Sequence, residues 1–207
     1  SSAVQSHDAA TLRAVRRENI SLAKYDEIAE TFSEVGLPLA TDLLVGLPGA
    51  TVESFKDDLQ HCFDREVTPR AMEVILLPNS PMNDPDYREE HEIQVDERGV
   101  VVGTSSYSRD DYDRMLRLRL LFRAADHFGV MRHLLRYLQW ERDLRAIDVL
   151  DEIDLAVAER GNRYPLLAFV ARMFDVYTMP PVAWEPFFDE MVDFLGDRYG
   201  MEVDPEL

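Results

Sequence analysis

The chain has 207 residues of which 46% are hydrophobic, enough to bury a core and to make one domain or one domain with an appendage. Its formal charge of -18, from 22 Lys plus Arg against 40 Asp plus Glu, repels phosphate backbones, and the thinly spread basic residues make no patch to overcome that field, so no nucleic-acid partner is expected. Apolar runs such as Leu43 to Val45 and Val74 to Leu77 fall far short of the roughly 20 residues a spanning helix needs, so no membrane segment is expected.

In chain order, Ser2 to Gln5 reads as a short strand, and Asp8 can cap a helix carrying Leu12 and Val15 on one face. A second helix is expected from about Ser21, with Leu22, Tyr25, Ile28, Phe32 and Val35 near helical spacing and Gly36 and Pro38 closing it. Leu39 to Val45 reads as a strand buried on both faces, ended by Gly46-Leu47-Pro48-Gly49. Thr51 caps the next helix, whose apolar positions are Val52, Phe55, Leu59 and Cys62. Cys62 is the one cysteine, which excludes an internal disulfide and points to a reducing, cytoplasmic setting. Met72 to Leu77 reads as a further buried strand stopped by Pro78.

Strands alternating with helices imply parallel βαβ units, hence an α/β fold. Three strands cannot close a barrel, and a bare edge of a parallel sheet is normally extended or covered, so further strands are expected before Ser1. Residues 1 to 82 form this part. Residues 83 to 107 read as a linker or extension, with turn formers (Asn83 to Asp86, Gly99, Gly103), charge and no sustained apolar period. Residues 108 to 207 read as a helical domain. It opens with the capping sequence Ser108-Arg109-Asp110-Asp111 ahead of Met115, Leu118, Leu121, Phe122 and Ala125. It continues through Leu134 to Trp140, Ala146 to Ala158, Leu166 to Val176 and Trp184 to Leu195. Its aromatic residues Trp140, Phe169, Phe174, Trp184, Phe187, Phe188 and Phe194 are expected in the core.

The five histidines, His7, His61, His91, His127 and His133, lack metal-site spacing, and no nucleophile elbow, phosphate loop or dinucleotide fingerprint occurs. The informative segment is Thr41 to Phe55, where glycines end a strand just before a helix N-terminus. Parallel sheets bind ligands there, because glycine admits close backbone approach and the helix start favours anions. A plain tight turn is the alternative.

That segment resembles the fifth-strand signature of the radical SAM superfamily, a strand ending in Gly-aliphatic-Pro-Gly-Glu-Thr, with Ala50 where the family usually has Glu. Val4-Gln5-Ser6 with Leu12 and Arg17-Glu18-Asn19 is similar to the family's fourth-strand Leu-Gln-Ser and downstream Arg-x-Asn. Ile75 to Met82 looks like the sixth strand and loop of cobalamin-binding members. The resemblance implies the C-terminal half of a partial TIM-like (β/α) barrel followed by the helical domain. The [4Fe-4S] cluster would be held by three cysteines upstream, since Cys62 alone cannot hold it. It implies S-adenosylmethionine and cobalamin as further cofactors. Gln5 and Ser6 would lie near the ribose or amino-acid part of S-adenosylmethionine, with Arg17 pairing its carboxylate. Leu44 and Val45, and Leu76 and Leu77, would flank adenine, and Asn79 and Ser80 would touch substrate. Solvated or core roles are the alternatives for these positions, since one of each adjacent strand pair must face away.

The function the resemblance implies is a radical SAM methyltransferase acting on an unactivated carbon of a small molecule, with a 5′-deoxyadenosyl radical abstracting substrate hydrogen. A cobalamin-independent radical SAM enzyme and a degenerate, non-catalytic binding protein are the other readings. With the missing N-terminal half supplied, a monomer is expected.

Overall fold

A computed structural model describes residues 2–160, 163–173 and 183–202. The chain divides into two compact units, one ending at Leu116 and the other beginning at Arg117.

The first unit is α/β. Strands β1 (Ser2–Gln5), β2 (Ala40–Val45) and β3 (Thr68–Glu73) form a three-stranded parallel sheet in that order. Helices α1 (Ala9–Ala14) and α2 (Leu22–Glu34) connect the first pair, and α3 (Val52–Asp64) the second. The start signals act as the sequence suggests. Asp8 accepts from the Thr11 amide, Ser21 from Lys24, and Thr51 and Ser54 form a reciprocal capping box.

Tyr25 and Ala29 of α2 pack with Val4, Leu39 and Val67, with Ile28 and Phe32 against that cluster. The ends of the expected α2 stripe do not join it. Leu22 and Val35, the first residue of α2 and the residue that caps its end, are 49% and 63% exposed. On α3, Phe55, Leu59, Cys62 and Phe63 are buried.

Strand β2 is not buried on both faces. Thr41, Leu43 and Val45 are fully buried, whereas Ala40, Asp42 and Leu44 are half-buried. The second set shares its face with Arg70 and Met72 of β3, since Asp42 pairs in register with Arg70 and Leu44 with Met72. Arg70 and Asp42 form an ion pair at 3.0 Å on this face.

The third strand lies earlier than Met72 to Leu77. It runs from Thr68 to Glu73, with Pro69 tolerated because β3 ends the strand order and a prolyl nitrogen there need not serve a neighbouring ladder. The apolar stretch after it turns to a different partner. Val101 donates to the Val74 carbonyl at 2.9 Å and Leu76 to the Gly99 carbonyl at 2.8 Å, beside an antiparallel bridge of Ile75 with Val100. Residues 83–107 therefore carry structure of their own. They hold α4 (Pro85–Glu90) and the antiparallel strands β4 (Gln94–Val95) and β5 (Val101–Gly103), with Val100, Val101 and Val102 buried.

Helix α5 (Arg109–Phe122) spans the division between the units and is started by reciprocal bonds between Ser108 and Asp111. Met115, Leu118, Leu121, Phe122 and Ala125 are all buried. Among its described residues the second unit is helical, with a π-helical segment over Arg123–His127, then α6 (Arg132–Arg142), α7 (Ala146–Arg160), α8 (Pro165–Met173) and α9 (Trp184–Tyr199). Arg117 pairs with the buried Asp154 of α7, and Glu190 of α9 accepts the Leu166 and Leu167 amides at the start of α8.

The aromatic residues divide. Phe187 and Phe194 are buried, whereas Trp140, Phe169, Trp184 and Phe188 are 75%, 38%, 37% and 43% exposed. Leu, Ile, Val and Met side chains at the intervening positions fill the core instead, among them Leu135, Leu138, Ile147, Leu150 and Met191. Phe174 and the end of the stretch expected to reach Val176 lie outside the described residues.

Candidate functional site

The carboxyl ends of the three parallel strands bring the first group of expected site residues to one edge. At the end of β1, Gln5 has a φ of +67°, a left-handed backbone that costs a non-glycine residue about 1–2 kcal/mol. Two clamps hold it. The Asn19 amide donates to the Val4 carbonyl at 2.7 Å and to the Ser6 carbonyl at 2.9 Å. On the other side, Asp58 of α3 accepts the Ser6 hydroxyl at 2.7 Å and the His7 amide at 2.6 Å. Ser6 is itself buried, and its oxygen also accepts the Asp8 amide at 3.0 Å. Arg17 is exposed, and its Nε donates to the Asn19 side chain at 3.3 Å, which places it beside the end of β1.

At the end of β2, Leu44 stands on the half-open face and Val45 on the buried one. Gly46 and Gly49 have φ values of +94° and +86°. A Cβ at Gly46 would lie 3.0 Å from the Val101 carbonyl oxygen and 3.1 Å from the Tyr107 hydroxyl; at Gly49 it would lie 2.9 Å from the Ala14 Cβ. The protein's own α1 and the Tyr107 region therefore occupy the space both glycines vacate. Tyr107 donates to the Gly46 carbonyl at 2.7 Å, and the Gly49 amide donates to Ser106 at 3.0 Å. Ala50, at the position where the resembled family carries Glu, is buried.

Beyond β3, Tyr112 donates to Glu73 at 2.8 Å. Leu76 is half-buried, Leu77 is 61% exposed, and Asn79 is exposed. Ser80 accepts the Met82 amide at 3.2 Å and starts the short 3-10 turn Pro81–Asn83. These four residues follow the strand rather than belonging to it.

Electrostatics at the β1 end are set by burial. Burial pushes the Asp58 carboxyl up to about 7, helped by Asp8 and Asp57 and opposed by its bonds to His7 and Ser6. Burial lowers His7 to about 4, with His61 adding to the effect and Asp26 opposing it. The fold brings the His7 and His61 rings to 4.5 Å although 53 residues separate them in sequence. Even so, among the described residues no group of three or more His, Cys, Asp or Glu side chains is arranged to hold a metal ion.

Asp58, Tyr107 and the Tyr112–Glu73 pair join this edge without a local sequence motif to mark them, and Asn19 stands in the sequence only as part of Arg17-Glu18-Asn19. Asp58 did leave a signal: it lies three residues after Phe55 and four before Cys62, on the buried stripe of α3, where an acid is out of place.

The residues present do not fit an iron–sulfur cluster, because the single cysteine is fully buried in α3 and three thiolates are required. They fit part of an S-adenosylmethionine site better. A strained polar residue, a neighbouring exposed guanidinium and the half-buried Leu44 lie at the carboxyl edge of the parallel sheet, the end at which sheets of this kind generally bind ligands.

No family model matches the chain. Over 127 residues, 59% of its length, it is 26% identical to the cobalamin-dependent radical SAM methyltransferase TokK of Streptomyces tokunonensis. The likeness is partial and distant. Over 85 residues, 40% of its length, it is 31% identical to the 2-(S-pantetheinyl)-carbapenam-3-carboxylate methyltransferase of Streptantibioticus cattleyicolor. The matched stretches span 19% and 12% of those two proteins, so the chain corresponds to a small part of each. Among the described residues no helix is long and apolar enough to cross a membrane.

Proposed function

We propose that this chain is part of a cobalamin-dependent radical SAM methyltransferase that acts on an unactivated carbon of a small molecule. The observation that carries the reading is the similarity to TokK over 59% of the chain. The three parallel strands in sequential order support it as neighbouring strands of a TIM-like partial barrel, with the helical unit following. The remaining strands and the cluster-binding cysteines belong to other parts of the enzyme.

S-adenosylmethionine would supply radical chemistry with a cluster held by other parts of the enzyme, and cobalamin would supply the methyl transfer. The residues here bind and orient. Arg17 offers a planar fork to the ligand carboxylate, and Gln5 offers its amide from a fixed backbone. Leu44 offers apolar surface from β2, with Leu76 and Leu77 doing so beyond β3. Val45 lies on the buried face, opposite the one that Leu44 occupies. Asn79 and Ser80 are the candidate substrate contacts.

The test is the iron, sulfide and cobalt content of the complete gene product purified without oxygen. About four irons with cobalt per chain is expected. Four irons without cobalt would favour a cobalamin-independent radical SAM enzyme, and no iron after reconstitution would favour a non-catalytic binding protein.

A further inference from the structure

We propose that Asp58 is a positioning residue that sets the shape of the Gln5-Ser6-His7 loop for S-adenosylmethionine binding, an inference that rests on the function proposed above. A carboxylate at 4% exposure needs a reason, because burying an ionised group without partners is strongly unfavourable. Phe55, Leu59 and Cys62, buried on the same helix, are apolar, and of the buried polar residues of α3, Lys56, Asp58 and Gln60, Asp58 is the one carboxyl. Asp58 answers the need by directing both oxygens at one loop. Oδ2 accepts the Ser6 hydroxyl at 2.7 Å and Oδ1 accepts the His7 amide at 2.6 Å.

The consequences pass along the loop. With its proton given to Asp58 and its oxygen accepting from Asp8, the Ser6 hydroxyl is oriented by the protein. The Ser6 carbonyl is held from the other side by Asn19. Gln5 lies between these two clamps in its left-handed conformation, and such strain persists only where the surroundings fix it. Removing Asp58 releases one clamp. Gln5 can then relax toward ordinary strand geometry, which turns its side chain relative to the half-open face of the sheet. Burial raises the pKa of the carboxyl, and its bonds to His7 and Ser6 oppose that rise.

The experiment measures equilibrium binding of S-adenosylmethionine to the complete, cluster-reconstituted protein, with matched iron content and circular dichroism for every variant. Asp58→Ala is expected to weaken binding by roughly tenfold or more, the size seen when a residue that orients a ligand-binding group is lost. Asp58→Asn keeps an acceptor for the His7 amide and is expected to recover part of that loss. Phe63→Leu, a core change in the same helix, is expected to lower stability and leave affinity unchanged. Should Asp58→Ala not fold, Ser6→Ala and Asp58→Asn carry the test, with the double variant no weaker than the more affected single one. Wild-type affinity in Asp58→Ala, or an equal loss in Phe63→Leu, would overturn the positioning role alone. Failure of the reconstituted wild type to bind S-adenosylmethionine would overturn the proposed function and this inference with it.

Discussion

Gly36 and Gly49 share a left-handed backbone, at φ +68° and +86°, and differ in what a methyl group would meet. At Gly36 nothing lies within 4 Å, so Gly36→Ala is expected to cost only the left-handed strain of about 1 kcal/mol. At Gly49 the added carbon falls 2.9 Å from the Ala14 Cβ and 3.2 Å from the Ala10 carbonyl and the Thr11 Cα, so α1 must move. Gly49→Ala should lose that strain energy plus about 1–3 kcal/mol of overpacking, and the two denaturation midpoints compared side by side test the difference. Two titrating groups at the β1 end make a second prediction. The folded protein holds Asp58 near 7, above its ordinary value, so its contribution to stability is present in acid and is lost as pH rises through about 7. His7 is held near 4, below its ordinary value, so its contribution is present above pH 6.5 and is lost as pH falls toward 4. Between pH 4 and 6.5 the two slopes oppose each other. Asp58→Asn should therefore leave a profile that rises more steeply with pH over that range than the wild type, and His7→Gln one that falls relative to it. Parallel profiles for all three proteins would sink the assignment.

The capping sequences were legible because a cap is a local device, needing one side chain and an amide three residues on. Asp8, Thr51 and the Ser108–Asp111 pair all act where the residue order places them. Thr51→Ala is accordingly expected to cost about 1 kcal/mol, read as a shift in denaturation midpoint at unchanged m-value. Strand β3 was not legible, because its residues Thr68 to Glu73 include a proline and alternate poorly, while the apolar run beside it belongs to contacts with residues 99–101. Only the pairing partner decides which segment joins the sheet, and the partner is distant in sequence. The exposed Trp140 and Phe188 escaped reading for a similar reason: helical spacing says which residues share a face, and packing says which face is covered. At the candidate site the left-handed Gln5 and its clamps depend on Asn19 and Asp58, 14 and 53 residues away, and no local pattern joins them. What could be read was the strand-to-helix turn Gly46-Leu47-Pro48-Gly49 at the carboxyl end of β2, whereas the residues that fill the space beside its glycines, Ala14, Val101 and Tyr107, are set by packing.

For the molecule as a whole, the division of labour between this chain and the rest of the proposed enzyme rests on one side chain. A four-iron cluster of the expected kind takes three protein thiolates, and this chain holds only Cys62, fully buried in α3. A buried thiol is shielded from reagents, and burial disfavours the thiolate, which is the reactive form. Under native conditions Cys62 should resist thiol reagents and become labelled only when the protein unfolds. Supplied with iron, sulfide and reductant, the 207-residue chain should acquire no cluster absorbance, whereas the complete protein treated alike should acquire about four irons. Agreement on both counts would assign every cluster thiolate to residues outside this chain. Cluster formation on the chain alone would mean that Cys62 leaves its helix core to bind iron, and α3 could then not hold the β1 loop in the way proposed.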